Sequence, residues 1–182
     1  MPFEFTILDA LQALHCPVLD ALAVFFDAAG AHGELWIALT VLALAFRRTR
    51  KAGFAMALAL CLYMVSGHFI LKPLFARPRP CDIRPEMLTL VARPHGWSFP
   101  SGHTASGFAA AFALWFQNRK LGTPALLLAA FIGFTRLYLY VHFPTDILGG
   151  IALGLAAGAL GSPLADKVSN RLSNCKEVKR TV

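Results

Sequence analysis

The sequence predicts an all-α integral membrane protein: a helical bundle of about five transmembrane helices, preceded by N-terminal interfacial amphipathic helices. Two observations carry that prediction. Of 182 residues, 57% are hydrophobic and only 15% are charged, with a mean hydropathy of +0.58; a soluble domain carries roughly 25% charged residues. The apolar residues also fall in continuous charge-poor runs, so lipid is the solvent for much of the chain. Basic clusters punctuate those runs at Arg47-Arg48-Thr49-Arg50-Lys51, at Arg119-Lys120 and from Lys167 to Arg180. One compact unit is expected at this length.

Taken in order, residues 3–14 place Phe3, Ile7, Leu11 and Leu14 at helical spacing. Residues 17–29 repeat the pattern with Val18, Leu22 and Phe25 or Phe26, and Pro17 suits a first helical turn. Both pieces are shorter than the roughly 20 residues a span needs, so they read as helices lying in the interface. A shallow sixth span over 17–29 stays open. The first span covers about 33–46 and is closed by Arg47 and Arg48, which can snorkel. The second covers about 52–71 and holds no Lys, Arg, Asp or Glu. A polar, Pro-rich loop follows at 72–100. The third span covers about 102–118, the fourth about 121–140 and the fifth about 145–163. Pro144 sits at the first turn of the fifth and Pro163 near its stop. The organisation is thus one domain: interfacial helices in 1–30, a transmembrane core in 33–163 with a loop at 72–101, and a basic tail in 164–182.

The net charge is +7, but its distribution matters more than its sum. Residues 1–46 hold Glu4, Asp9, Asp20, Asp27 and Glu34 and no Lys or Arg. A nucleic-acid binder would gather basic charge on one polar face; here it marks the ends of spans, as topology signals do. No nucleic-acid partner is expected. With the 47–51 turn in the cytoplasm, loop 72–100 and His142 fall outside, while Arg119-Lys120 and the tail fall inside. Lys72, Arg77, Arg79, Arg84, Arg93 and Arg136 then sit on the side the rule disfavours. An anionic ligand is one reason for cations there. Trp36, Trp97, Trp115, Tyr138 and Tyr140 fit an aromatic belt. The Gly149-Gly150, Gly154, Gly158 spacing reads as close helix packing.

Cys16, Cys61, Cys81 and Cys175 show no zinc spacing and no CxxC. Cys61 reads as a small core residue. Cys16 and Cys81 share the outer face in this topology, which leaves a disulfide open. The N-terminus lacks a basic region followed by an apolar core and a cleavage site, so no removable signal peptide is expected.

Three polar stretches remain. Lys72 and Arg79 bracket a segment stiffened by Pro73, Pro78 and Pro80. A point cation plus a planar fork can neutralise and orient a phosphate, although an interfacial Lys and Arg on lipid headgroups would look the same. Ser101-Gly102-His103 opens the third span, where free N–H groups and the helix dipole make an anion site. Ser101 suits a cap that also donates its hydroxyl, Gly102 admits close approach, and His103 faces the same anion. A plain Ser cap beside an incidental His is the alternative. His142 and Asp146 flank Pro144; a carboxylate on one ring nitrogen leaves the other free to attack. Arg136 is an ionisable residue at the outer end of the fourth span, a functional candidate by default. An interfacial Arg beside a structural His–Asp pair is the plainer reading. His15, His32, His68 and His95 lack such company and read as interfacial or satisfied histidines, with His68 near Lys72.

Lys72 with Arg79-Pro80, Pro100-Ser101-Gly102-His103, and Arg136 with His142 and Asp146 resemble the three signature motifs of the type-2 phosphatidic acid phosphatase superfamily. The resemblance covers about residues 17–163, with Thr135 standing where the third motif usually has Ser. It implies a membrane lipid phosphatase of the kind that acts on undecaprenyl pyrophosphate and other lipid phosphates. His142 would be the nucleophile, Asp146 its orienting partner and His103 the acid for the leaving oxygen. Lys72, Arg79, Ser101, Gly102 and Arg136 would hold the phosphoryl oxygens. No cofactor and no metal are expected, since no carboxylate cluster is available for Mg²⁺. The implied setting is a bacterial plasma membrane with the site on the extracytoplasmic side and membrane lipids as partners. Two rival readings are a vanadate-dependent oxidase of the same superfamily and a non-catalytic phospholipid binder or carrier. The first conflicts with five lipid-length runs. The second has no use for a nucleophile.

Overall fold

The structure, a computed structural model, describes residues 2–30, 33–87 and 89–178, with side chains through 168. His32, and Lys179 and Arg180 of the expected tail, lie outside the described residues. Every regular element described is helical: α1 Pro2–Gln12, α2 Pro17–Gly30, α3 Glu34–Ala45, α4 Arg50–Tyr63, a π-helical stretch Met64–Leu71, α5 Lys72–Phe75, α6 Pro80–Ile83, α7 Gly102–Gln117, α8 Arg119–Tyr138 and α9 Pro144–Val178.

The span count differs from the expected five. Three helical runs are long and apolar enough to cross a membrane alone: Arg50–Ile83, Arg119–Tyr138 and Pro144–Val168. A fourth forms only if α2 and α3, bent by 61°, count as one broken span. Counted that way, residues 17–30 would join the first expected span; counted singly, α2 is too short to cross, as expected of an interfacial helix. With 16 residues, α7 is about 24 Å long at 1.5 Å per residue, short of a bilayer core of about 30 Å. It is nonetheless the hub of the bundle, packed against α4, α8 and α9.

Small residues make that packing close. Ala105, Ala109, Ala110, Ala111 and Ala113 of α7 are fully buried. A Cβ at Gly154 of α9 would stand 2.6 Å from the Ala105 carbonyl oxygen, so only glycine lets the backbones meet there. The expected stop near Pro163 is not observed: α9 runs through it to Val178. One lost N–H bond is tolerable where neighbouring helices hold the segment. At the end opposite loop 72–100, Lys51 pairs with Asp166 at 2.9 Å, and Gln117 donates to Ser162 at 2.7 Å.

Several aromatic and cysteine expectations are corrected. Trp36, Tyr138 and Tyr140 are buried and form no belt, because both phenols reach inward to carboxylates, Tyr138 to Asp20 and Tyr140 to Asp9. Trp97 remains exposed. Cys61 is exposed on the bundle surface and not in the core. Cys16 and Cys81 are both free thiols, the first exposed and the second buried.

Candidate active site

The turn between α8 and α9, residues 139–143, presents His142. Its backbone is strained: Tyr140 has φ +60°, which costs a bulky residue about 1–3 kcal/mol. The phenol holds it there, donating to Asp9 at 2.7 Å and accepting from Arg84 at 3.1 Å. The His142 ring is buried. Its Nδ1 faces the Asp146 carboxylate at 3.4 Å and the Ser98 hydroxyl at 3.3 Å. Asp146 lies four residues on, in the first turn of α9, and its Oδ2 accepts the Phe143 N–H at 2.8 Å. The same oxygen takes a short hydrogen bond from Ser98. An acceptor at Nδ1 selects the tautomer with its proton there and leaves a lone pair on Nε2. Burial pushes the His142 pKa down to about 3; Asp146 opposes the shift and the Arg79 charge adds to it. The ring is therefore neutral and nucleophilic at ordinary pH.

Cations surround that nitrogen. The Arg79 Nη1 lies 3.0 Å from His142 Nε2 and donates to the Val141 carbonyl at 3.0 Å. Its Nε donates to the Gly96 carbonyl at 3.0 Å. The Lys72 Nζ donates to the Trp97 carbonyl at 2.6 Å. The π-helical stretch before Lys72 brings Met64, His68 and Phe69 to the same cavity as Lys72, and such segments recur at functional sites. Across the cavity, Arg136 of α8 pairs with Asp27 of α2 at 2.5 Å and contacts His103 Nε2 at 3.2 Å. Its Nε and Nη2 are buried with no hydrogen-bond partner among the described residues. Each such orphan donor costs about 1–3 kcal/mol, more when charged.

Lys72, Arg79, Gly102, His103, Arg136 and His142 line one cavity of about 640 Å³. The imidazoles of His142 and His103 each have Nε2 against a guanidinium, of Arg79 and Arg136 respectively. An oxyanion that drew both forks onto itself would free both ring nitrogens and satisfy the orphan donors of Arg136. Among the described residues, no group of three or more His, Cys, Asp or Glu is gathered as metal ligands would be.

One expected role, that of Ser101, looks different in place. Ser101 sits at the cap position of α7, but its side chain makes no cap bond. Its hydroxyl accepts from Thr104 at 3.1 Å, and it is fully buried outside the cavity lining. Asp146 stands behind His142 rather than in the cavity. The six cations expected on the outer side also divide. Arg77 is neutralised by Glu4 and Asp146, each at 2.6 Å, and Arg84 by Asp9 at 2.9 Å. Lys72, Arg79, Arg93 and Arg136 line the cavity.

Sequence reasoning named Arg77 among the cations that an anionic ligand would explain, but missed Ser98, Asp27 and Glu4 as neighbours of the site. Ser98 lay two residues before a motif, with no spacing of its own. The carboxylate run in residues 1–46 was the available signal for the other two, Glu4 facing Arg77 and Asp27 facing Arg136. His68 and His95 also line the cavity, whereas His15 pairs with Asp20 at 3.0 Å and stacks on Tyr138.

The chain is similar to known proteins over most of its length. It is 28% identical over 163 residues to the undecaprenyl-diphosphatase BcrC of Bacillus subtilis, covering 86% of this chain and 81% of that one. Its fold superposes on Aquifex aeolicus LpxE with a TM-score of 0.75 at 28% identity, covering 87% of this chain and 94% of that one. A transmembrane PAP2 type phosphatidylglycerolphosphate phosphatase from Bacillus subtilis gives a TM-score of 0.74 at 25% identity, covering 92% and 86% respectively. The PAP2 superfamily profile matches residues 48–168. That stretch contains all three motifs, though it begins later than the motif resemblance did. On this evidence the chain belongs to the PAP2 superfamily.

Proposed function

We propose that this protein hydrolyses a phosphomonoester or diphosphate of a membrane lipid through a phosphohistidine on His142. The observation that carries the reading is the pair of buried, unpartnered nitrogens of Arg136 in a cavity shared with Lys72, Arg79 and the Nε2 of His142. A phosphoryl group supplies the oxyanions those donors lack. Nε2 attacks phosphorus, the bond to the leaving oxygen breaks, and His103 protonates that oxygen. Water then attacks the phosphohistidine and gives its proton to His103. Phosphate leaves and Nε2 is restored. Developing charge on the equatorial oxygens is met by Lys72, Arg79, Arg136 and the α7 N-terminus with the Gly102 amide. The placement of Ser101 supports a role in shaping that N-terminus through Thr104.

The first candidate substrate is undecaprenyl pyrophosphate, in keeping with the activity named for the Bacillus subtilis relative. The structural neighbour named for phosphatidylglycerolphosphate supports a broader lipid class. The polyprenyl or acyl tail would lie along the apolar helices, favourable by about 0.8 kcal/mol per buried CH₂. The active site would face outward from a bacterial plasma membrane, because the basic turns at 47–51 and 119–120 belong to the opposite end of the bundle. Neither the oxidase nor the binder reading is favoured by the relatives.

Phosphate release from undecaprenyl pyrophosphate, phosphatidate and a soluble sugar phosphate, measured in one detergent, tests the reading. Turnover of the lipids should persist in EDTA and be inhibited by vanadate. Loss of activity in EDTA that Mg²⁺ restores would overturn the mechanism. Equal efficiency on the soluble sugar phosphate would overturn the lipid assignment.

A further inference from the structure

We propose that Glu4 and Arg77 are positioning residues for phosphoryl transfer, acting through Asp146 from outside the cavity. The inference rests on the phosphatase reading above. Glu4 lies in α1, before the residues that the superfamily profile matches. Neither Glu4 nor Arg77 lines the cavity.

Asp146 is fully buried, and a buried carboxylate must be paired. Its two oxygens have separate duties. Oδ2 serves Phe143 N, Ser98 Oγ and His142 Nδ1. Oδ1 accepts from Arg77 Nη1 at 2.6 Å. The Arg77 fork is itself held in a closed ring. Nη2 donates to Glu4 Oε2 at 2.6 Å, Nη1 reaches Thr145 Oγ1 at 2.6 Å, and Thr145 donates to Glu4 Oε1 at 2.6 Å. The Phe143 ring covers the guanidinium at 4.2 Å. The backbone of Arg77 acts on the same site, because its carbonyl accepts the Ser98 N–H at 2.8 Å.

A guanidinium prefers to grip a carboxylate with two parallel bonds. Here Glu4 occupies Nη2, so Arg77 takes only Oδ1 of Asp146. That leaves Oδ2 to the Nδ1–H of His142, which fixes the tautomer that attacks. Without Glu4, the fork is free to close on both oxygens and compete with the imidazole. Simple anchoring of α1 does not need this arrangement. Gln12 ties the same helix to the Tyr138 carbonyl at 3.1 Å, and Phe5 and Leu8 pack beneath it against Tyr140 and Phe143.

The test uses the full-length protein in detergent with undecaprenyl pyrophosphate. Glu4→Gln should lower kcat about tenfold, the low end for loss of an outer-shell partner, with KM within twofold. Glu4→Asp, which keeps the charge, should recover part of the loss. Gln12→Ala, which cuts a tether that does not reach Asp146, should leave kcat within twofold. Equal losses in Glu4→Gln and Gln12→Ala would reduce α1 to an anchor and overturn the proposal, as would an unchanged kcat in Glu4→Gln. A second readout needs no turnover. Imidazole ¹⁵N spectra, with the His142 signal assigned by its loss in His142→Ala, should show a single Nδ1–H tautomer in the wild type and a mixture in Glu4→Gln. An identical spectrum in the two proteins overturns the proposal even if the wild type releases no phosphate, an outcome that would separately sink the phosphatase reading.

Discussion

Replacing Arg136 by lysine should cost far more than a change between two cations suggests. The side chain is 1% exposed, and its Nη1 is already engaged by Asp27 at 2.5 Å. The remaining Nε and Nη2 have no partner among the described residues, and in the mechanism both go to phosphoryl oxygens. A lysine offers one ammonium on a flexible stem, and Asp27 stands ready to claim it. Two hydrogen bonds to a charged group are lost, each worth about 1.5–3 kcal/mol. The sum of about 3–6 kcal/mol corresponds to a fall in kcat/KM of roughly 10²- to 10⁴-fold. The assay is phosphate release from undecaprenyl pyrophosphate in detergent without divalent metal, with folding checked by the melting temperature. A folded Arg136→Lys protein within tenfold of wild type would refute the reasoning, because the orphan nitrogens would then not be holding the transferred group.

Three further outcomes are expected. His142→Ala should abolish turnover in a folded protein, while Asp146→Asn, which keeps the nucleophile in a poorer orientation, should cost less; near-normal phosphate release by His142→Ala would end the covalent scheme. With its pKa pushed down to about 3, the His142 ring should stay neutral between pH 7 and 5, whereas an unfolded histidine begins to bind a proton near 6.5. The folded state should therefore lose stability as pH falls from about 6.5 toward 3; a ring titration by NMR with a midpoint near 6.5 contradicts this. A cysteine introduced as Glu86→Cys, with native cysteines replaced, should react with a membrane-impermeant thiol reagent in intact cells, and Lys120→Cys should not; the reverse pattern would invert the topology.

The candidate site was legible in sequence because three sparse polar stretches together resemble a known set of motifs, although each alone admitted a plainer reading. In a chain so poor in charge, Lys72, Arg79, His103, Arg136, His142 and Asp146 stand out against apolar spans. Helix positions were legible for the same reason: continuous apolar runs bounded by Arg, Pro and Gly set the ends of α3, α7 and α8 to within about two residues. Whether a run crosses a bilayer was not legible, since that depends on whether α2 and α3, bent by 61°, count as one broken span. Depth was equally hidden, and Tyr138 and Tyr140 went inward because carboxylates from the first two helices were there to receive them. Pairing across long sequence separation was the other blind spot. Arg77 and Arg79 look alike in the chain, two residues apart in one Pro-rich loop. Only the tertiary fold turns the first onto Glu4 and Asp146 and the second onto His142. The sequence by itself determined which groups are available for the chemistry, because residue type sets charge, hydrogen bonding and nucleophilicity. The tertiary structure decided which of those groups are neutralised and which remain free to meet a phosphate, because that depends on distances between helices far apart along the chain.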